Sequence, residues 1–139
     1  MILLDTNVII DALDKSQANH QWAKQQIENV VAMEGGGISA ITLAELCAGA
    51  RHPADVEPEM KRLGVTVHDV PAAAASTCGK AYRSYVSARR NSGGGLSPKM
   101  PLPDFFIGAH AAVAGYLLMT RDAARYRSYF PKLSLIAPE

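Results

Sequence analysis

Short apolar runs that alternate with helix-period stretches constrain this chain more than any other feature. The runs over 2–4, 37–39, 65–68, 116–119 and 133–136 are brief and rich in β-branched residues or leucine, as strands buried on both faces require. Between them, 7–13, 18–33, 43–50, 56–63, 72–90 and 104–114 carry helical patterns, with Pro53 separating the third from the fourth. Strands that alternate with helices need crossover connections, which a mostly parallel sheet covered on both faces accommodates. The expectation is a three-layer α/β/α sandwich on a five-stranded sheet, a single domain over 1–139.

Four acids recur at one kind of place in that pattern. Asp5 follows the first strand directly, and Glu45 lies in the first turns of the helix after the second strand. Asp104 opens the helix that runs back before the fourth strand, and Asp122 follows that strand. All four placements fall at the carboxyl edge of a parallel sheet, where ligands bind in such folds. Crowded carboxylates repel, and a bound divalent cation relieves the repulsion. Each acid also has a local explanation. Asp5 and Asp122 suit helix caps, Thr42-Leu43-Ala44-Glu45 spells a capping box, and Asp104 after Pro103 suits a helix N-terminus. Caps alone do not require every carboxylate to share an edge.

Charge and cysteine content narrow the classes. Residues 1–79 hold five Lys/Arg against ten Asp/Glu, whereas residues 80–139 hold nine against three, so net charge runs from −5 to +6 along the chain. Arg121, Arg125 and Arg127 flank Asp122; a basic rim beside an acidic site suits a polyanion, although a solvated surface explains such charges equally. Neither Gly35-Gly36-Gly37, read as a helix stop, nor the 91–103 stretch with Gly93-Gly94-Gly95, read as a loop, spells a nucleotide-binding fingerprint. His20, His52, His68 and His110 lack metal-ligand spacing. Cys47 and Cys78 stand apart, as in a reduced cytoplasmic protein, and no stretch has signal-peptide or membrane-spanning character.

Four motifs in order resemble the PIN-domain family, and closely the small VapC-type toxin ribonucleases of type II toxin–antitoxin systems. They are Leu4-Asp5-Thr6-Asn7, then Ser39 with Thr42 and Glu45, then Leu102-Pro103-Asp104 with Ile107-Gly108-Ala109 and Ala111, then Leu118-Met119-Thr120-Arg121-Asp122. The resemblance spans 2–136 and implies a PIN-like, Rossmann-like fold. It implies a metal-dependent endoribonuclease in which Asp5, Glu45, Asp104 and Asp122 hold one or two Mg²⁺ or Mn²⁺ ions, a class of cation suited to oxygen ligands. Thr6, Asn7, Ser39, Thr42 and Thr120 are candidates to orient those carboxylates or bound water, or else to bond local backbone. Arg121 and Arg125 are candidates to hold RNA phosphates.

Where many relatives carry a further acid, three residues after the fourth motif, this chain has Arg125, with the following aromatic kept as Tyr126. The resemblance further implies a VapB-like antitoxin partner, a homodimer, and transfer or ribosomal RNA as substrate. The apolar stripe of Trp22, Ile27 and Val30 is either core or the antitoxin groove. Two other readings compete: a catalytically silent PIN module that binds proteins, and a phosphoacceptor receiver with Asp69 after the third strand. The second lacks the paired acids after strand one and the lysine after the last strand.

Overall fold

The computed structural model describes residues 1–33, 35–93 and 100–139. Five parallel strands, β1 (Ile2–Leu4), β2 (Gly36–Ser39), β3 (Val65–His68), β4 (Leu117–Met119) and β5 (Leu135–Ile136), form one sheet in the order β3-β2-β1-β4-β5. The chain builds outward from β1 in one direction and then, through β4, in the other. The switch point therefore lies at the carboxyl ends of β1 and β4. Leu4 pairs with Met119 there, and the Asp5 amide donates to the Met119 carbonyl at 2.8 Å, carrying the ladder one residue past β1.

Seven α-helices cover the sheet among the described residues: α1 (Thr6–Leu13), α2 (His20–Met33), α3 (Ala40–Gly49), α4 (Val56–Arg62), α5 (Ala74–Asn91), α6 (Leu102–Ala114) and α7 (Ala123–Tyr129). Strand side chains alternate between two cores, as a two-residue period dictates. Leu3 and Leu118 enter a cluster with α5, α6 and α7, while Ile2, Leu4 and Met119 enter one with α1, α2 and α4. The sandwich and its parallel sheet match the expectation.

Several boundaries differ from the sequence reading. Helix α3 begins at Ala40, not 43, because the Ser39 hydroxyl accepts the Ile41 amide and caps the helix three residues early. Thr42-Leu43-Ala44-Glu45 is therefore inside the helix, and the capping-box explanation of Glu45 falls. Helix α6 begins at Leu102, inside the stretch read as loop, since Pro103 is tolerated in a first turn where no intrahelical donor is needed. The remainder of that loop, at 94–99, lies outside the described residues. The helix stop after α2 is real: Gly35 adopts φ +79° and its amide reaches back to the Val30 carbonyl at 2.7 Å. Ile27 and Val30 are buried core, so that part of the stripe forms no exposed groove.

Candidate active site

Asp5 sits almost wholly buried at the switch point, with both oxygens engaged. Its Oδ1 accepts the Thr6 amide at 2.8 Å; its Oδ2 accepts the Thr120 hydroxyl at 2.8 Å, the Tyr126 hydroxyl at 2.9 Å and the Asn7 amide at 3.2 Å. Burial raises its pKa above the ordinary aspartate value, and these donors and the nearby Glu45 only partly offset or add to that effect. The capping role foreseen for Asp5 thus exists, but it uses one oxygen of two.

Asn7 and Thr6 radiate from the first turn of α1 to the other acids. The Asn7 side-chain amide donates to Asp122 Oδ2 at 3.2 Å as well as to Asp5, and its carbonyl accepts the Arg121 backbone amide at 3.2 Å. The Thr6 hydroxyl donates to Glu45 Oε1 at 2.8 Å and stands 3.0 Å from the Thr42 hydroxyl. Since a hydroxyl has one proton, Thr42 completes the pair as donor to Thr6. Thr120, fully buried, accepts the Asp122 amide at 3.1 Å while donating to Asp5. The Ser39 hydroxyl is taken up by capping α3 and, unlike the other predicted orienting residues, stands outside this network among the described residues.

Asp104 and Asp122 complete the cluster from the other side. Asp104 is the third residue of α6, and Asp122 precedes α7 without a side-chain capping bond, so its cap explanation falls too. Burial first, and then the negative fields of Asp5, Glu45 and Asp122, push the Asp104 pKa up to about 6 against an opposing pull from Arg125. The Arg125 guanidinium lies 3.7 Å from Asp104 and 3.6 Å from Asp122. All four predicted acids therefore act on one another at one place. Among the described residues, no three Asp, Glu, His or Cys side chains form a ready-made coordination cage.

A PIN-domain family model matches residues 2–130. The chain belongs to the PIN-domain family. No match was found among curated proteins. Solved structures of PIN proteins share its fold over nearly the whole length. VapBC2 from Rickettsia felis, bound to a DNA fragment from their promoter, is 21% identical with TM-score 0.66, covering 99% of this chain and 98% of that one. A toxin–antitoxin complex from Klebsiella pneumoniae is 24% identical with TM-score 0.64, covering 100% and 98%. VapC20 of Mycobacterium tuberculosis, described as a sarcin–ricin-loop-cleaving toxin, is 17% identical with TM-score 0.61, covering 99% and 100%.

The PIN fold tests the fit of a divalent cation through chemistry the chain displays. The donors are all oxygens, the acids lie at the switch point, and burial together with the fields of the other three carboxylates raises the Asp104 pKa to about 6. An arginine already bridges two of them where positive charge is favoured. That combination suits Mg²⁺ or Mn²⁺.

Two residues of this PIN domain escaped the sequence reading. Tyr126 is buried against Asp5, and burial beside Asp5 and Asp104 raises its hydroxyl well above the ordinary tyrosine pKa, so it stays a donor. Its signal was the retained aromatic after Arg125. Asp11 is fully buried on α1, one turn after Asn7, and pairs with Arg121 Nη1 at 2.6 Å. An acid at i+4 from Asn7 inside an apolar helix was the available clue. Arg121, foreseen as a phosphate ligand, is thus committed first to Asp11, with its side chain 35% exposed. No described helix is long and apolar enough to cross a membrane.

Proposed function

We propose that this PIN protein is a VapC-like, metal-dependent endoribonuclease. It hydrolyses RNA phosphodiesters in single-stranded or loop regions and is inhibited by a small VapB-like antitoxin. The observation that carries this reading is Asp104, raised to about 6 in part by the fields of Asp5, Glu45 and Asp122. Four carboxylates drawn into one field at a sheet switch point are unfavourable without a cation and useful with one. The toxin–antitoxin structures that share the fold support the partner, and the sarcin–ricin-loop-cleaving toxin supports RNA as substrate.

Asp5, Glu45, Asp104 and Asp122 would hold Mg²⁺ or Mn²⁺, directly or through water. The cation supplies a water of lowered pKa and a counter-charge to the phosphate. The chain's own residues set the geometry. Thr120, Tyr126 and Asn7 fix the Asp5 carboxylate, Thr6 with Thr42 fixes Glu45, and Asn7 ties Asp122 to Asp5. Arg125, 3.7 Å from Asp104 and 3.6 Å from Asp122, screens the two carboxylates from each other, and would be available to a phosphate where a bound cation neutralised them. Arg121 meets phosphate from its exposed side while Asp11 holds its other edge.

The antitoxin would occupy the open apolar groove of about 400 Å³ lined by Leu13, Leu46, Val56 and Met60 and rimmed by Asp55 and Glu59. A homodimer and a cytoplasmic setting are part of the same proposal; the free Cys47 and Cys78 are compatible with the latter.

The deciding experiment incubates purified, partner-free protein and its Asp104→Asn variant with total cellular RNA, with Mg²⁺ or Mn²⁺ and with a chelator. Wild type yields discrete fragments, chelation abolishes them, and the variant loses at least about 100-fold in rate, since even groups that only orient metal ligands are worth 10–100-fold. Folded wild type that cleaves nothing under either metal sinks the reading. It would favour a silent PIN module whose carboxylates are neutralised internally by Arg125.

A further inference from the structure

Helix α5 carries Lys80, Arg83, Arg89 and Arg90 and no acidic residue. Lys80 and Arg83 are exposed and enter none of the ion pairs among the described residues. They line an open depression of about 620 Å³ with Ser84, Ser87 and Asn91. A second depression, of about 300 Å³, shares Lys80 and Ser84 and is walled on its far side by Ser128 and Tyr129 at the end of α7. Two depressions with common residues make one groove along the seam of α5 and α7. Its described polar lining is cations, hydroxyls and an amide, with no carboxylate. Such a lining donates to phosphate oxygens and meets no like charge that would expel them.

The groove is also joined to the carboxylate site. Helix α7 starts just after Asp122 and ends seven residues later at the groove wall. At 1.5 Å per residue that separation is on the order of 10 Å, a span a flanking stretch of the same RNA strand can cover. An acidic peptide would match the charge of Lys80 and Arg83 on α5 as well; the far wall on α7, the helix that follows Asp122, favours a strand running out of the site.

We infer that the α5–α7 groove binds the phosphate backbone of RNA flanking the cleaved bond, so that substrate is gripped outside the carboxylate cluster. The inference rests on the ribonuclease reading above. Contacts of this kind hold register on the nucleic acid without reading bases. The groove therefore adds affinity for longer RNA and leaves sequence choice to the site.

The test reads binding without cleavage. In the Asp104→Asn background, anisotropy of a labelled RNA hairpin is followed against salt for the parent, for Lys80→Ala/Arg83→Ala, and for Lys24→Ala/Lys61→Ala as a control away from the groove. Thermal melts verify that all three are folded. The groove variant binds about tenfold more weakly and its log–log salt slope falls by about 1.4, two phosphate contacts at about 0.7 each. The control matches the parent. A groove variant with the parent's affinity and slope overturns the inference while the parent's binding leaves the ribonuclease reading intact. A parent that binds no RNA overturns both. Loss of polyglutamate binding with RNA affinity retained assigns the groove to an acidic peptide and also overturns it.

Discussion

Around α1–α4 the buried core is aliphatic, built from residues such as Val8, Ile9, Ile27 and Ile38, whereas around α5–α7 it also holds a cluster of rings. Phe105 alone stands 5.3–5.5 Å, centroid to centroid, from Tyr82, Tyr85 and Tyr129. The acids follow the same division. On the aliphatic side Asp5 and Glu45 are placed by hydroxyl and amide hydrogen bonds from Thr6, Asn7 and Thr120, with the Tyr126 hydroxyl reaching Asp5 from the aromatic side. On the aromatic side Asp104 is placed by its neighbour Phe105, whose ring anchors the first turn of α6. Aromatic pairs add a geometric preference to their buried area, so they can fix a helix end that has no capping side chain. The site thus stands on a seam between two packing regimes, each contributing two acids.

The sharpest way to break this comparison is to empty the aromatic side. Phe105→Ala should cost about 3–5 kcal/mol, whereas Ile9→Val in the aliphatic core should cost about 0.5–1.5 kcal/mol. Denaturant titration checks both, and Phe105→Ala should also weaken Mn²⁺ binding where Ile9→Val does not. Equal effects on metal binding would mean that Asp104 is not positioned through its neighbour.

The link across the seam comes next. Arg121→Ala strands the buried Asp11 charge and should cost about 2–3 kcal/mol, while Asp11→Asn leaves a half-solvated arginine and should cost less. If the order of the two midpoints is reversed, the pair is held mainly by Arg121 and not by burial of Asp11.

A further effect is a pH dependence. Asp104 has a folded pKa of about 6, above an unfolded value near about 3.9. The folded state therefore binds more protons between these values, and stability falls as pH rises through that window. The raised Asp5 acts in the same direction. Without divalent cation, melting temperature should drop from pH 4 toward about 6 and then level, and Asp104→Asn should flatten the curve. Adding Mg²⁺ should raise the melting temperature more at pH 8 than at pH 5, where protons compete. A cation effect that does not change with pH would separate metal binding from Asp104.

Strand order was not readable, whereas the mostly parallel sheet was, because short apolar runs alternate with helical crossovers. The four acids were readable because each followed a strand or lay in the first turns of a helix. Boundaries were less so. Thr42 and Glu45 imitate a capping box, but Ser39 won the cap because its hydroxyl lies where the chain leaves β2. Trp22, Ile27 and Val30 at helical spacing could not say which neighbour would cover them, and the sheet claimed Ile27 and Val30.

Composition, periodicity and the positions of Asp5, Glu45, Asp104 and Asp122 by themselves determined an α/β sandwich with an acidic edge, because those depend on local pattern and on topology rules alone. Only the tertiary structure decided that Tyr126 closes over Asp5, that Asp11 takes Arg121 before any ligand can, that Arg125 bridges Asp104 and Asp122, and that Lys80 and Arg83 share a groove with Ser128. Those outcomes bring together residues from separate elements, and which side chains meet is fixed by how helices pack on a sheet, a quantity no stretch of sequence encodes on its own.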